Sequence, residues 1–177
     1  MNDMLQIRPM QAADLEQVIA IDQTSFSLPW PKSAFLFELK ENPLSMLWVA
    51  EMLQSDGSKI IVGMIVIWLI LDEVHIATIA VEPTYRRQGI ALELLAIALE
   101  HAIQKGMTQA TLEVRAGNHA AQGVYNRFGF KIVGQRPHYY QDNGEDAIIM
   151  TASNLNKPYL SWLQSKGWKE IRTAACN

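Results

Sequence analysis

Residues 86–91 read Arg-Arg-Gln-Gly-Ile-Ala and lie between a β-branched run ending at Val81 and a long apolar helical stretch. Three kinds of chemistry fit them: a basic patch for nucleic acid, a turn whose backbone cradles a phosphate, or an ordinary solvated turn. A helix N-terminus leaves backbone N–H groups unpaired and carries the positive end of the helix dipole. Gly89 and Ala91 leave the backbone bare enough for a phosphate to approach. The stretch is neither Gly-x-Gly-x-x-Gly nor a P-loop, which needs Gly-Lys-Ser/Thr. A helix cap whose small residues merely permit tight packing is the alternative. The formal net charge of −3 argues against a cationic nucleic-acid binder.

A second polar set follows in "ATLEVRA". Ala110, Leu112 and Val114 alternate with Thr111, Glu113 and Arg115. Interior strands of two-sided sheets are apolar on both faces, so a polar face suggests a cleft and makes Glu113 a candidate general base. The competing reading is a solvated edge strand with a surface Glu–Arg arrangement. Asn118 sits where a helix N-cap is expected, opening "NHAAQGVYNRFGF". Tyr125 shares an apolar stripe with Ala121, Val124 and Phe128, which by spacing alone suits a core tyrosine whose hydroxyl finds a buried partner. His75, His101, His119 and His138 show no ligand spacing, so no metal is expected. Cys176 reads as a free thiol near the C-terminus and rules out an internal disulfide framework.

The elements that must position these residues follow from periodicity. "LQIRPM" suits a first strand. An amphipathic helix runs from about Asp14 to Gln23, "FSLPWP" breaks it, and a second helix covers 32–40. "MLWVAEML" and the run 60–70 are strands joined by a turn at "SDGS". The 60–71 run is too short for a membrane helix, which needs ~20 apolar residues, and its β-branched content suits a strand buried on both faces. A strand over 74–81, a helix over 88–105, a strand over 109–115, a helix over 118–128 and strands over 130–138 and 145–151 complete the order. Three consecutive strands without crossover helices predict an α/β chain of mixed-sheet type, the central sheet flanked by helices on both faces. With 177 residues, 49% hydrophobic and 19% charged, one substantial core is affordable. The tail after Ser153, with Lys157, Lys166, Lys169 and Arg172 against Glu170, is either a terminal helix covering core or a partner surface.

Taken together, "SFSLPW", "IAVEPTYRRQGIA", "LEVRAGNHAAQGVYNRFGF", "GQRPHYY" and "EDAIIM" run in order from about residue 5 to 151. In these stretches the chain resembles the GNAT family of acetyl-coenzyme A-dependent N-acetyltransferases. Within it the chain is most similar to the ribosomal-protein N-terminal alanine acetyltransferases of the RimI type. The resemblance implies the GNAT fold over 1–152, with 153–177 a C-terminal extension. It implies that acetyl-coenzyme A lays its pyrophosphate on the loop Arg86, Arg87, Gln88, Gly89, Ile90 and Ala91. Its pantetheine arm would run along Ile79, Ala80 and Val81, with Asn118 as a further contact. It implies Glu113 as base and Tyr125 as acid. Trp30, Tyr139 and Tyr140 are candidate acceptor contacts. The departures from the pattern are Ala91 in place of a second glycine, Gly117 before Asn118 in place of a serine, Val124 before Tyr125 in place of a leucine, and the tail after Ser153, which has no counterpart in it.

The chemistry so implied moves an acetyl group to a protein α-amino group, most simply the N-terminal alanine of a small-subunit ribosomal protein. Glu113 would deprotonate the amine, strand amides near Ile79–Val81 would polarise the thioester, and Tyr125 would protonate the departing thiolate. Asp72, Glu73, Asp142, Glu145 and Asp146 would attract a basic peptide, or else form a solvated turn set. Alternative readings are transfer to protein lysines or small amines, and a non-catalytic acetyl-coenzyme A-binding module. The expected setting is the cytoplasm, as a monomer or weak dimer, without metal, direct nucleic-acid contact or membrane.

Overall fold

The computed structural model describes residues 5–170; Arg172 and Cys176 lie outside the described residues. Seven strands, β1 (Leu5–Pro9), β2 (Ser45–Leu53), β3 (Lys59–Ile70), β4 (Glu73–Val81), β5 (Gln109–Arg115), β6 (Lys131–Arg136) and β7 (Ala147–Ser153), form one mixed sheet in the order β1-β2-β3-β4-β5-β7-β6. The helices are α1 (Leu15–Ser25), α2 (Lys32–Lys40), α3 (Ile90–Gln104), α4 (His119–Arg127) and α5 (Lys157–Gln164). Among the described residues no helix is long and apolar enough to cross a membrane. The chain folds as two compact units, one running to Leu69 and resuming over Ile76–Ala98, the other comprising Ile70–His75 and the chain from Leu99.

In the first unit, β1 and β2 pair antiparallel, as do β2 and β3. The apolar run Ile61–Ile67 is buried at every position, because β3 has a strand neighbour on each side. Met10, Leu15, Val18, Ile21 and Phe35 pack with Leu47, Val49, Met64, Val66 and Ala80 to form one core. Gly63 is required there. A Cβ would lie 3.1 Å from the Ala80 carbonyl oxygen and 3.1 and 3.2 Å from Leu94 and Ile90. The first turn of α3 therefore rests directly on β3. At the sheet's β1 edge, Arg8 bonds both oxygens of Asp14 at 2.8 Å and Glu51 at 2.7 Å, and Lys59 completes the set on Glu51 at 2.8 Å.

In the second unit, β5 and β7 pair antiparallel over seven residues, and β6 closes the edge on β7. β5 alternates as expected, with Ala110, Leu112 and Val114 buried and the polar residues half-buried. It is an interior strand, so the solvated-edge reading of its polar face is set aside. Its parallel ladder with β4 is three pairs long, Glu73 with Gln109 to His75 with Thr111. Several bounds differ from those read in the sequence. The helix expected over 88–105 begins at Ile90, because Arg87 and Gly89 take left-handed φ values of 62° and 85° that stop a helix there. The strand expected over 145–151 begins at Ala147, because Glu145 and Asp146 belong to the preceding turn.

Candidate active site

The loop of the first unit begins where β4 ends. Glu82 caps a 3-10 turn over Pro83–Tyr85, its carboxylate accepting from the Thr84 amide at 2.8 Å and from the Thr84 hydroxyl. Arg86 then folds back on the protein. Its Nε donates to the Val81 carbonyl at 2.9 Å and its guanidinium to the Ser25 hydroxyl at 3.1 Å. Arg87 and Gly89 are left-handed, with Gln88 between them. Left-handed residues placed this way turn neighbouring N–H groups into one concavity, a nest for an anion. The amides of Ile90, Ala91 and Leu92 precede the first helical bond, from Glu93 N to Gly89 O at 3.1 Å, and so have no carbonyl one turn back. A Cβ built on Gly89 would meet nothing within 4 Å, so the space over the turn is open. Backbone conformation, not crowding, demands glycine here. The donors, the helix dipole and the open space fit a pyrophosphate.

β4 carries Ile79, Ala80 and Val81 to this loop, Ile79 on the less buried face and the other two buried. Among the described residues, the ladder of β4 with β5 covers Glu73–His75 and does not extend to Ile76–Val81. A strand edge can accept an extended, amide-bearing arm by strand-like hydrogen bonding.

In the second unit Glu113 lies on the half-buried face of β5. Its Oε2 is 3.2 Å from His75 Nε2 and its Oε1 is 3.2 Å from an Arg136 guanidinium nitrogen. The carboxylate side chain keeps 16% of its exposure, enough to meet a substrate without being free in water. Sequence reading missed both partners. The signal that finds His75 is the parallel register: it pairs with Thr111, two residues before Glu113 on the same face.

Tyr125 is buried in α4, its ring tilted on Phe130 with centroids 5.8 Å apart. Burial, with a smaller push from the Tyr140 phenol, drives its hydroxyl well above the usual phenol range. It therefore stays protonated at any physiological pH. Asn118 caps α4, its side-chain oxygen accepting from the Ala121 amide at 3.1 Å. That engages its oxygen and leaves its NH2 for another partner. Gly117 is closely met: a Cβ there would lie 3.0 Å from Glu145 Oε1, which also accepts the Gly117 amide at 2.8 Å.

Of the acceptor candidates, Trp30 packs on the first unit's core, 5.3 Å from Phe35 and stacked 6.2 Å from Trp68, and its amide donates to buried Asp22 at 2.7 Å. Tyr139 is exposed and crosses Tyr140 edge-on at 5.2 Å, while Tyr140 lies under the Arg115 guanidinium at 3.8 Å. The acids expected to attract a basic peptide are largely engaged. Arg115 pairs with Asp142 at 2.8 Å and Glu145 at 3.1 Å. The Gly117 amide and Arg115 hold the Glu145 carboxyl below the usual range, and the His138 amide and Gln135 do the same for Asp146. The Asp72 carboxylate accepts from the Thr108 hydroxyl at 3.3 Å. Among the described residues no three His, Cys, Asp or Glu side chains gather as metal ligands.

Residues 15–130 match the acetyltransferase (GNAT) family. A Bacillus subtilis (strain 168) protein, provisionally named a [ribosomal protein bS18]-alanine N-acetyltransferase, is 41% identical over 144 residues, 81% of this chain and 92% of its own length. The [ribosomal protein bS18]-alanine N-acetyltransferase of Escherichia coli (strain K12) is 32% identical over 146 residues, 81% of this chain and 94% of its own. Among solved structures, the Escherichia coli ribosomal-protein-S18-alanine N-acetyltransferase superposes with a TM-score of 0.74 at 29% identity, covering 85% of this chain and 94% of that one.

Proposed function

We propose that this chain, a member of the acetyltransferase (GNAT) family, moves the acetyl group of acetyl-coenzyme A onto the N-terminal α-amino group of a protein, the alanine of ribosomal protein bS18 first among candidates. The acceptor follows the names of its relatives. The observation that supports the reading is the turn with left-handed Arg87 and Gly89 leading directly into the N-terminus of α3. Acetyl-coenzyme A, when bound, supplies the acetyl thioester. The loop amides from Arg87 to Ala91 hold its pyrophosphate, and the backbone of Ile79–Val81 holds its pantetheine arm, with the Asn118 amide group as a further contact. Arg86 acts by fixing the loop to Val81 and Ser25.

An α-amino group with pKa near ~8 is mostly protonated at neutral pH and cannot attack until it loses that proton. Glu113 takes it at a carboxylate oxygen, directly or through a water. Amides of Ile79–Val81 stabilise charge on the acyl oxygen as the amine nitrogen bonds the acyl carbon and the carbon–sulfur bond breaks. Tyr125, kept protonated by burial, delivers its hydroxyl proton to the leaving sulfur. Trp30, Tyr139 and Tyr140 contribute apolar surface to the acceptor side. The reaction is placed in the cytoplasm, where acetyl-coenzyme A and ribosomal proteins meet.

The chain incubated with acetyl-coenzyme A is tested on three acceptors: an alanine-starting bS18 peptide, the same peptide with its N-terminus blocked and a lysine added, and a polyamine. Mass spectrometry should find one acetyl group gained on the first alone. Acetylation of the other two at equal or greater rate would move the activity to lysines or small amines. Binding without turnover on any of them would make the chain a non-catalytic acetyl-coenzyme A module.

A further inference from the structure

The tail after β7 lies beyond the residues matched to the family, 15–130, yet it is built onto the end of α4. α5 is started by Asn156, which accepts from the Tyr159 amide at 3.1 Å, and Pro158 occupies its first turn. The Tyr159 hydroxyl donates to the Phe128 carbonyl at 2.8 Å. The Phe128 ring, fully buried, meets Trp162 edge-on at 5.7 Å and stacks on Trp168 at 5.9 Å. Arg127 donates to the Trp168 carbonyl at 3.3 Å. Gln164 anchors the far end of α5 by donating to Glu100 at 3.0 Å. Gly167 passes so close to the Trp162 indole that a Cβ there would overlap it.

Phe128 is the C-cap of α4, and its amide donates to the Tyr125 carbonyl at 2.9 Å. Residues three apart on a helix stand one above the other. Whatever holds Phe128 therefore holds the turn that carries Tyr125. α4 has only nine residues with Gly123 in its middle, too short to be stable or straight by propensity, so packing decides its orientation.

We propose that residues 155–169 act as a brace that sets the place of the Tyr125 hydroxyl by clamping Phe128 between Tyr159, Trp162 and Trp168. These are positioning residues, since none of them reaches the reacting atoms. The proposal rests on the reading of Tyr125 as the proton donor. A donor displaced by a fraction of an ångström loses rate without any loss of cofactor binding.

The test uses the full chain and steady-state kinetics. Tyr159→Phe keeps the ring and removes one bond; it should lower kcat about fivefold while the acetyl-coenzyme A KM stays within about twofold. Trp168→Ala should lower kcat at least as far, and Trp168→Phe should restore most of it. Made in a Tyr125→Phe background, Tyr159→Phe should cost nothing further, because both changes remove the same function. Should Tyr125→Phe slow turnover while Tyr159→Phe and Trp168→Ala leave kcat unchanged, the brace is refuted and Tyr125 keeps its role. Independent, multiplying losses would equally overturn it. Unchanged turnover in Tyr125→Phe alone would remove the donor itself and the proposal with it. If Trp168→Ala does not fold, Tyr159→Phe decides.

Discussion

A carboxylate that must accept a proton needs partners that hold it still and a face open to substrate. Glu113 has both: His75 and Arg136 grip one oxygen each, and the side chain is mostly but not fully covered. Glu113→Gln keeps the shape and removes the proton acceptor. It should lower kcat by roughly 10²–10⁴ at neutral pH with little change in acetyl-coenzyme A KM. Turnover within a few-fold of the parent would take Glu113 out of the role. Glu113 itself was legible from the alternation of "ATLEVRA". Its partners were not, because a histidine 38 positions earlier becomes a neighbour only through the register of β4 on β5.

At the scale of elements, the join from β4 to α3 is the informative one. Two adjacent arginines suggest charge as the binding force, but Arg86 spends its guanidinium on Val81 and Ser25. Arg87 and Gln88 remain exposed beside the turn, whose backbone takes left-handed φ at Arg87 and Gly89. Gly89→Val has room for its side chain but not for its conformation at φ 85°, so it should distort the nest. Isothermal titration with acetyl-coenzyme A should find the Kd raised more by Gly89→Val than by Arg86→Ala; the reverse order would make side-chain charge the holding force. The seat also needs α3 to lie flat on β3, which Gly63 permits. Gly63→Ala should cost about 1–3 kcal/mol in urea unfolding, because both the helix and the Ala80 backbone would have to shift.

At the scale of the whole chain, acid stability should be set by the Arg8 group. The Arg8 guanidinium holds the Asp14 carboxyl below the usual carboxylate range, and Lys59 and Arg8 do the same for Glu51. Folded values below unfolded ones mean that the stabilisation is complete above the ordinary carboxylate pKa of about 4 and is lost as pH falls through the lowered values. Melting temperatures between pH 7 and pH 3 should therefore drop steeply only at the acid end. Arg8→Met should flatten that acid slope and cost roughly 2–3 kcal/mol at neutral pH, since Asp14 would lose its cationic partner and Glu51 would keep only Lys59, while Arg8 itself keeps a fifth of its side chain in water.

Local pattern alone determined the element order, the mixed sheet, the interior position of β3 and the family's motifs, because apolar periodicity and turn residues act within a few positions of one another. The run around Gly89 could be read as an anion site for the same reason: a helix start has unpaired amides whatever surrounds it. Tertiary structure decided the rest. It turned Arg86 into a tether, engaged the acids of the 142–146 turn with Arg115, Gln135 and neighbouring amides, and gave Glu113 its two partners. It also brought Tyr159, Trp162 and Trp168 onto Phe128, more than thirty positions back in the chain. These contacts join residues remote in sequence, and their partners are chosen by strand register and packing geometry, which no local spacing encodes.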